Sequence, residues 1–255
     1  MTSPTSYPAT ALVVGGSRGI GRCTVLRLAA AGTRCAIGYV SRDEIAEKTR
    51  AEVAEIGPEP VLVKGDQGIE PRAIVERARA ELGSVDAIVT TAVPMIMGRI
   101  MDVTEQEYRA AMDVQVWGLQ ELVRAAIDDL EAAAGAVVTV SSLGADSYAN
   151  YYGAIGPAKA ALENTVRYLG AELGRRGVRV NAVSPSLVDD ESHRIGIDVP
   201  EAFDDVVQAV AKRTPLRRLA TSDEIASVIV SLLSSDFAMV TGQTIKVDGG
   251  YGLLA

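Results

Sequence analysis

A single-domain, doubly wound α/β fold, with a seven-stranded parallel sheet covered by helices on both faces, is predicted by three observations. Short apolar, β-branched runs alternate with amphipathic segments along most of the 255 residues. A glycine-rich turn joins the first such pair. No repeat, low-complexity stretch or linker interrupts the alternation, so one continuous sheet accounts for it. With 48% hydrophobic residues, a chain of this length can bury the core such a domain needs.

Residues 1–8, MTSPTSYP, lack periodicity and are expected to be a loose tail, leaving 9–255 as the domain. ATALVV (9–14) is the first buried strand, GGSRGIG the turn, and RCTVLRLAAAG a helix stopped by Gly32. Strand 34–39, helix 42–55, strand 61–64 and helix 70–81 follow. Strand 85–89 leads to a long helix, 104–130, whose start is marked by a Thr104/Glu107 capping box. Strand 136–140, the tyrosine-rich stretch 141–176 with its helix, and strand 178–183 come next. Poor periodicity over roughly 186–213 predicts a lid holding a short helix, 201–212. A second capping box, Thr221/Glu224, opens another helix, and GQTIKVDGG adds the last strand at a sheet edge.

The formal charge of -8, without a basic run, argues against nucleic acid or an acidic membrane surface as partner. Cys23 and Cys35 lack disulfide or metal spacing, and no apolar run approaches a membrane span, so a reduced, cytoplasmic setting is expected.

Gly15, Gly19 and Gly21 stand between strand and helix, where glycine permits close approach of a pyrophosphate to the helix N-terminus. A dinucleotide cofactor is therefore expected. The second strand ends Tyr39-Val40-Ser41-Arg42 without a carboxylate, and Arg18 lies inside the turn, which favours NADP(H) over NAD(H). Arg18 and Arg42 are otherwise solvated surface cations. Asp66, past the third strand, either accepts from an adenine amino group or caps its own loop.

Tyr152 and Lys159 are seven residues apart, close to two helical turns, which would put a phenol and an ammonium on one helix face near Ser141 and Ser142. That combination suggests a proton-donating site. An ammonium nearby would draw the phenol below its reference pKa of about 10. His193, the only histidine, could bind substrate or sense pH, although a lone loop histidine is more often solvated. Met95, Met97, Met101 and Trp117 line an apolar pocket or, more commonly for such residues, pack in a core or subunit interface.

The ordered set of glycine turn, TTA after the fourth strand, serine after the fifth, Tyr/Lys helix, VRVNAVSP and GQTIKVDGG resembles the short-chain dehydrogenase/reductase family over nearly the whole chain. The resemblance implies a Rossmann fold, a homo-oligomer (tetramer or dimer), and hydride transfer from NAD(P)H. Ile155 occupies the position of the usual Tyr-x3-Lys tyrosine, and Tyr152 with Lys159 gives Tyr-x6-Lys. That spacing resembles the divergent enoyl-acyl-carrier-protein reductases, closest to their NADPH-dependent branch. It implies Tyr152 as proton donor, Lys159 on the nicotinamide ribose, Ser142 polarising the acceptor, and Gln115 in place of a relay asparagine. It adds Ser17, Ile20, Ser41, Gln67, Thr91, Ala92, Pro185 and Val188 to the cofactor contacts, and puts Tyr148 and Val93 in the substrate pocket.

Departures are Thr90-Thr91-Ala92-Val93 for NNAG, Ser186 for the glycine after Pro185, and Asp190 for a threonine. An acid near the nicotinamide amide or pyrophosphate would be unfavourable, so either the lid is displaced there or the correspondence of residues with the family is shifted. The expected activity is reduction of an α,β-unsaturated thioester or ketone, the substrate being a small molecule or a carrier-bound acyl group. The alternatives are a ketoreductase with the same site, a redox-inactive module, or a cyclase or isomerase.

Overall fold

The computed structural model describes residues 5–190 and 200–254. Seven parallel strands, β1 (Thr10–Val14), β2 (Arg34–Tyr39), β3 (Val61–Lys64), β4 (Ala87–Thr90), β5 (Ala136–Val140), β6 (Arg179–Pro185) and β9 (Thr244–Val247), form one sheet in the order β3-β2-β1-β4-β5-β6-β9. Strand order reverses between β1 and β4, the switch point at whose carboxyl ends such sheets bind ligands. The last strand pairs only with β6, at the predicted edge.

Alternation along each strand sends side chains to two separate cores. Leu12 and Val14 join one with Ile74, Leu122, Leu162 and Val166, under α3 (Pro71–Leu82), α5 (Gly118–Ala125) and α7 (Ile155–Gly174). Ala11 and Val13 join the other with Val25, Leu28, Val53, Ile225 and Ile229, under α1 (Gly19–Ala30), α2 (Asp43–Ala54) and α9 (Ser222–Leu233). Both faces are covered, as the continuous apolar strands require. Among the described residues no helix is long and apolar enough to cross a membrane, and Cys23 and Cys35 are free thiols.

Three expectations are corrected. The helix predicted over 104–130 is broken: α4 (Glu105–Met112) runs into a π-turn (Asp113–Trp117), then α5, then α6 (Ile127–Ala132). In the π-turn Gly118 N donates to Asp113 O, five residues back, adding one residue to the turn. Residues 5–8 are not loose: Thr5 Oγ1 donates to Asp236 Oδ2 at 2.7 Å, Ser6 N donates to Ser235 Oγ at 2.9 Å, and Pro8 O accepts from Thr33 Oγ1 at 2.7 Å. The fourth strand starts at Ala87, because Asp86 turns back to accept from Thr10 N at 3.2 Å. The short helix predicted over 201–212 is present as α8 (Pro200–Arg213), and β7 (Val188–Asp189) pairs with β8 (Ala220–Thr221). His193 lies outside the described residues.

Candidate active site

The glycine turn is built by close backbone contact. Gly15 N and Gly16 N both donate to Gly38 O, at 2.9 and 3.0 Å, and Gly15 and Gly19 take φ of 82° and 53°. A Cβ on Gly21 would lie 2.1 Å from Gly15 O, and one on Gly15 would lie 2.5 Å from Thr91 Oγ1. Only glycine fits, and the resulting cradle faces the free N–H groups of α1, whose first turn carries no acidic residue. The cradle suits an anionic pyrophosphate. Ser17 anchors it from outside, its carbonyl accepting from Thr49 Oγ1 at 2.8 Å, and Ile20 packs against the core on the α1 side.

Arg18, at the extended N-cap of α1, is exposed, as are Ser41 and Arg42. Arg42 holds a left-handed backbone with φ 64° at the N-cap of α2. Among the described residues neither arginine is in an ion pair. One exposed guanidinium thus stands in the glycine turn and the other just past the end of β2. Asp66 caps its own loop, Oδ1 accepting from Gly68 N at 2.7 Å. Gln67 is turned inward, its amide buried beneath the π-turn.

The threonines at the end of β4 are bonded into the sheet. The Thr90 and Thr139 hydroxyls pair across β4 and β5 at 2.7 Å. Thr91 N donates to Val14 O at 2.9 Å, and its hydroxyl donates to Gly15 O at 3.1 Å, tying the β4 end to the glycine turn. Ala92 O accepts from Gln115 Nε2 at 2.9 Å, and Val93 begins an exposed loop.

Three of the sequence-predicted catalytic groups meet at the carboxyl end of β5. Ser142 caps a short 3-10 turn (Leu143–Ala145), and its hydroxyl interacts with the Tyr152 phenol. The tyrosine ring lies on Gly144, where a Cβ would come within 2.6 Å of Tyr152 Cδ1. Lys159 is 4% exposed and gives one hydrogen to Gln115 Oε1 and one to Val140 O, both at 2.6 Å. Glu163, one turn further along α7, accepts from Ser141 Oγ at 2.6 Å.

Two expectations about this pair are corrected. Tyr152 is not on the helix with Lys159: it precedes α7, in a parallel bridge with Gly98. Gly98 N donates to Tyr151 O at 2.8 Å and Gly153 N donates to Gly98 O at 2.9 Å. Tyr151 takes φ 57° to make that bend, and its ring stacks 5.8 Å from Arg99. Nor does the ammonium draw the phenol down. Burial raises the Tyr152 phenol above its usual range, outweighing the opposing interaction with Ser142. Burial likewise holds Lys159 down to about 7, partly countered by the Glu163 carboxylate. The lysine gives two hydrogens to Gln115 and Val140 O, and burial, not the lysine, sets the raised Tyr152 phenol.

Around this centre, Tyr148 is 87% exposed and bonded through its hydroxyl to Asn150 Oδ1 at 3.0 Å, so it is not drawn into the pocket. Met95, Met97 and Met101 are exposed on the loop after β4 and are not core residues; Trp117 is exposed as well. Pro185 closes β6 against Val247, and the Val188 side chain is buried in the core, leaving only its backbone toward the sheet edge. The carboxylate of Asp190 accepts from Ser222 Oγ at the start of α9. A helix N-terminus thus takes the negative charge.

A glycine cradle at a parallel-sheet switch point, beside a Ser/Tyr/Lys centre, defines a nucleotide-dependent oxidoreductase. The family model described as enoyl-(acyl carrier protein) reductase matches residues 14–252. The chain belongs to the short-chain dehydrogenase/reductase family and is an NAD(P)H-dependent oxidoreductase. It is 32% identical to 1-cyclohexenylcarbonyl-CoA reductase of Streptomyces collinus, covering 96% of this chain and 87% of that protein. It is 29% identical to a 3-oxoacyl-(acyl-carrier-protein) reductase of Staphylococcus epidermidis, covering 94% and 98% respectively. A solved short-chain type dehydrogenase/reductase from Mycobacterium ulcerans superposes with TM-score 0.87 at 28% identity, over 98% of this chain and 92% of that one.

Proposed function

We propose that this enzyme uses NADPH to reduce an α,β-unsaturated thioester or ketone, with Tyr152 as the proton donor. The observation that carries the reading is the Tyr152 phenol turned onto Ser142 at the end of β5, protonated, with Lys159 buried behind. When bound, NADPH supplies the hydride. The cradle of Gly15, Gly19 and Gly21 would hold its pyrophosphate, and Arg18 and Arg42 would take a 2′-phosphate. Ser142 donates to the acceptor oxygen as charge develops there, and Tyr152 delivers the proton. Lys159, held by Gln115 and Val140 O, keeps its remaining hydrogen for the ribose or the developing phenolate.

The relative named for reducing a cyclohexenylcarbonyl thioester supports a conjugated C=C acceptor. Exposed Met95, Met97, Ile100 and Met101 beside the Tyr152 bridge suit an apolar acyl group. The second reading, reduction of a carbonyl by the same residues, is favoured by likeness to a 3-oxoacyl reductase. Exposed Trp117 and Tyr168, on the π-turn and α7, support a homo-oligomer, which light scattering of the purified protein tests.

NADPH consumption is measured against an enoyl thioester, a β-keto thioester and a simple quinone, with NADH alongside. Tyr152→Phe is expected to lose about 100-fold or more in turnover with NADPH binding unchanged. Full turnover by Tyr152→Phe or Lys159→Ala would sink the site assignment. Equal use of NADH, or unchanged NADPH affinity in Arg18→Ala, would sink the cofactor preference.

A further inference from the structure

We propose that Gln67 is a positioning residue that braces the π-turn of 113–117, so that Gln115 reaches Lys159. The inference rests on the reading of Lys159 as the lysine of the active site. Gln67 follows β3, on the opposite side of the β4 strand end from Lys159, and is 3% exposed. Its Nε2 donates to Val114 O at 2.6 Å, the carbonyl just before Gln115.

Contacts on either side of this bond are close. A Cβ on Gly118 would lie 2.5 Å from Gln67 O and 2.8 Å from Gln67 Cγ, and one on Gly68 would lie 2.9 Å from Val114 Cγ2. Gly68 and Gly118 are glycines that let the loop and the turn meet. The other amide atom, Gln67 Oε1, is buried with no hydrogen-bond partner among the described residues. An orphaned buried acceptor is destabilising, so what the amide contributes here is its N–H on Val114 O.

The consequence falls on the next residue. A π-turn carries one residue more than an α-turn, which rotates the side chains that follow by about 100° relative to a continuous helix. Within it Gln115 spans from Ala92 O, at 2.9 Å, to Lys159 Nζ, at 2.6 Å. Without the brace the turn closes toward α-helical spacing, and Gln115 leaves the ammonium. Gln67 thereby couples the loop after β3 to the proton-handling end of the site without touching substrate.

The chain has five lysines, so carbon-13 NMR of lysine labelled at Cε resolves Lys159 in the ligand-free protein. The charged group acting on Lys159 is Glu163, with the Tyr152 phenol at the same strand end, and neither changes in the variants below. Loss of the Gln115 acceptor disfavours the ammonium. Gln67→Met is expected to lower the Lys159 midpoint from about 7 by on the order of one unit. Gly118→Ala, which leaves every polar group in place, is expected to shift it in the same direction and decides the matter if Gln67→Met fails to fold. Gln115→Met gives at least the same shift, and adding Gln67→Met to it moves Lys159 no further, because both act through one contact.

An unmoved Lys159 midpoint in folded Gln67→Met overturns the inference, whether the variant loses thermal stability or NADPH affinity instead, as does full additivity in the double variant. The measurement needs no substrate. Absence of any turnover would refute the proposed function and leave this coupling standing, while an unmoved midpoint would do the reverse.

Discussion

Replacing Lys159 by methionine should flatten the pH dependence of stability. Burial holds the folded-state ammonium at about 7, against an ordinary value of 10.5. Between those values the unfolded chain binds more protons than the folded one, so stability rises with pH across that window. At about 1.36 kcal/mol per unit, the full gap corresponds to roughly 5 kcal/mol. Of this, roughly 2–3 kcal/mol is recovered between pH 6 and pH 9, while the rest lies nearer the unfolded midpoint. Lys159→Met abolishes the titration but orphans Gln115 Oε1 and Val140 O, each costing about 1–3 kcal/mol. The net change at neutral pH is consequently small, and the slope is the diagnostic. Urea unfolding of the ligand-free protein, followed by circular dichroism at constant ionic strength from pH 6 to 9, measures it. The wild type should gain roughly 2–3 kcal/mol over the variant across that range. Parallel stability curves would refute the burial of a depressed ammonium, and with it the electrostatic account of the site.

Two further outcomes follow from contacts at the β4 end. Thr139→Val leaves the Thr90 hydroxyl buried without its 2.7 Å partner and should cost about 1–3 kcal/mol in urea unfolding, whereas the Thr90→Val/Thr139→Val pair should recover most of that. Strict additivity would show that the hydroxyls do not pair. Gly21→Ala puts a Cβ 2.1 Å from Gly15 O, so NADPH affinity by fluorescence titration should fall by about tenfold or more; an unchanged Kd would remove the cradle from cofactor binding.

The strands, the glycine turn and most helix starts were legible because each is written locally, as β-branched runs, glycine spacing and capping boxes such as Thr104/Glu107. The π-turn was not. Apolar periodicity over 104–130 reads as one helix, and the inserted residue is fixed by Gln67, a tertiary partner 47 positions away from Val114. How the TTAV departure is bonded was not legible either, because the partner of the Thr90 hydroxyl, Thr139, lies on a different strand. The spacing of Tyr152 and Lys159 was readable, but their placement was not: a helical-face argument assumes that both residues are helical, and Tyr152 lies ahead of α7 in the bridge with Gly98. Glycines at Gly98 and Gly153 were the available signal, since a Cβ on Gly153 would lie 2.4 Å from Ile100 N. The depressed lysine also needed the fold, because burial depends on what surrounds a residue and not on its neighbours in sequence.

The bridge at Gly98 ties the segment carrying Tyr152 to the loop after β4 as well as to α7, whereas Lys159 belongs to α7 itself. Lys159 rides on α7 and is fixed to β5 through Val140 O, while Tyr152 is flanked by the bonds of Tyr151 O and Gly153 N to Gly98, and its own carbonyl accepts from Gly156 N of α7 at 2.8 Å. A graft of residues 93–101 from a relative would therefore shift the Tyr152 segment through Gly98 while leaving the bonds of Lys159 in place, whereas a change in the first turn of α7 would reach both residues, through Gly156 N on Tyr152 O and through the helix that carries Lys159.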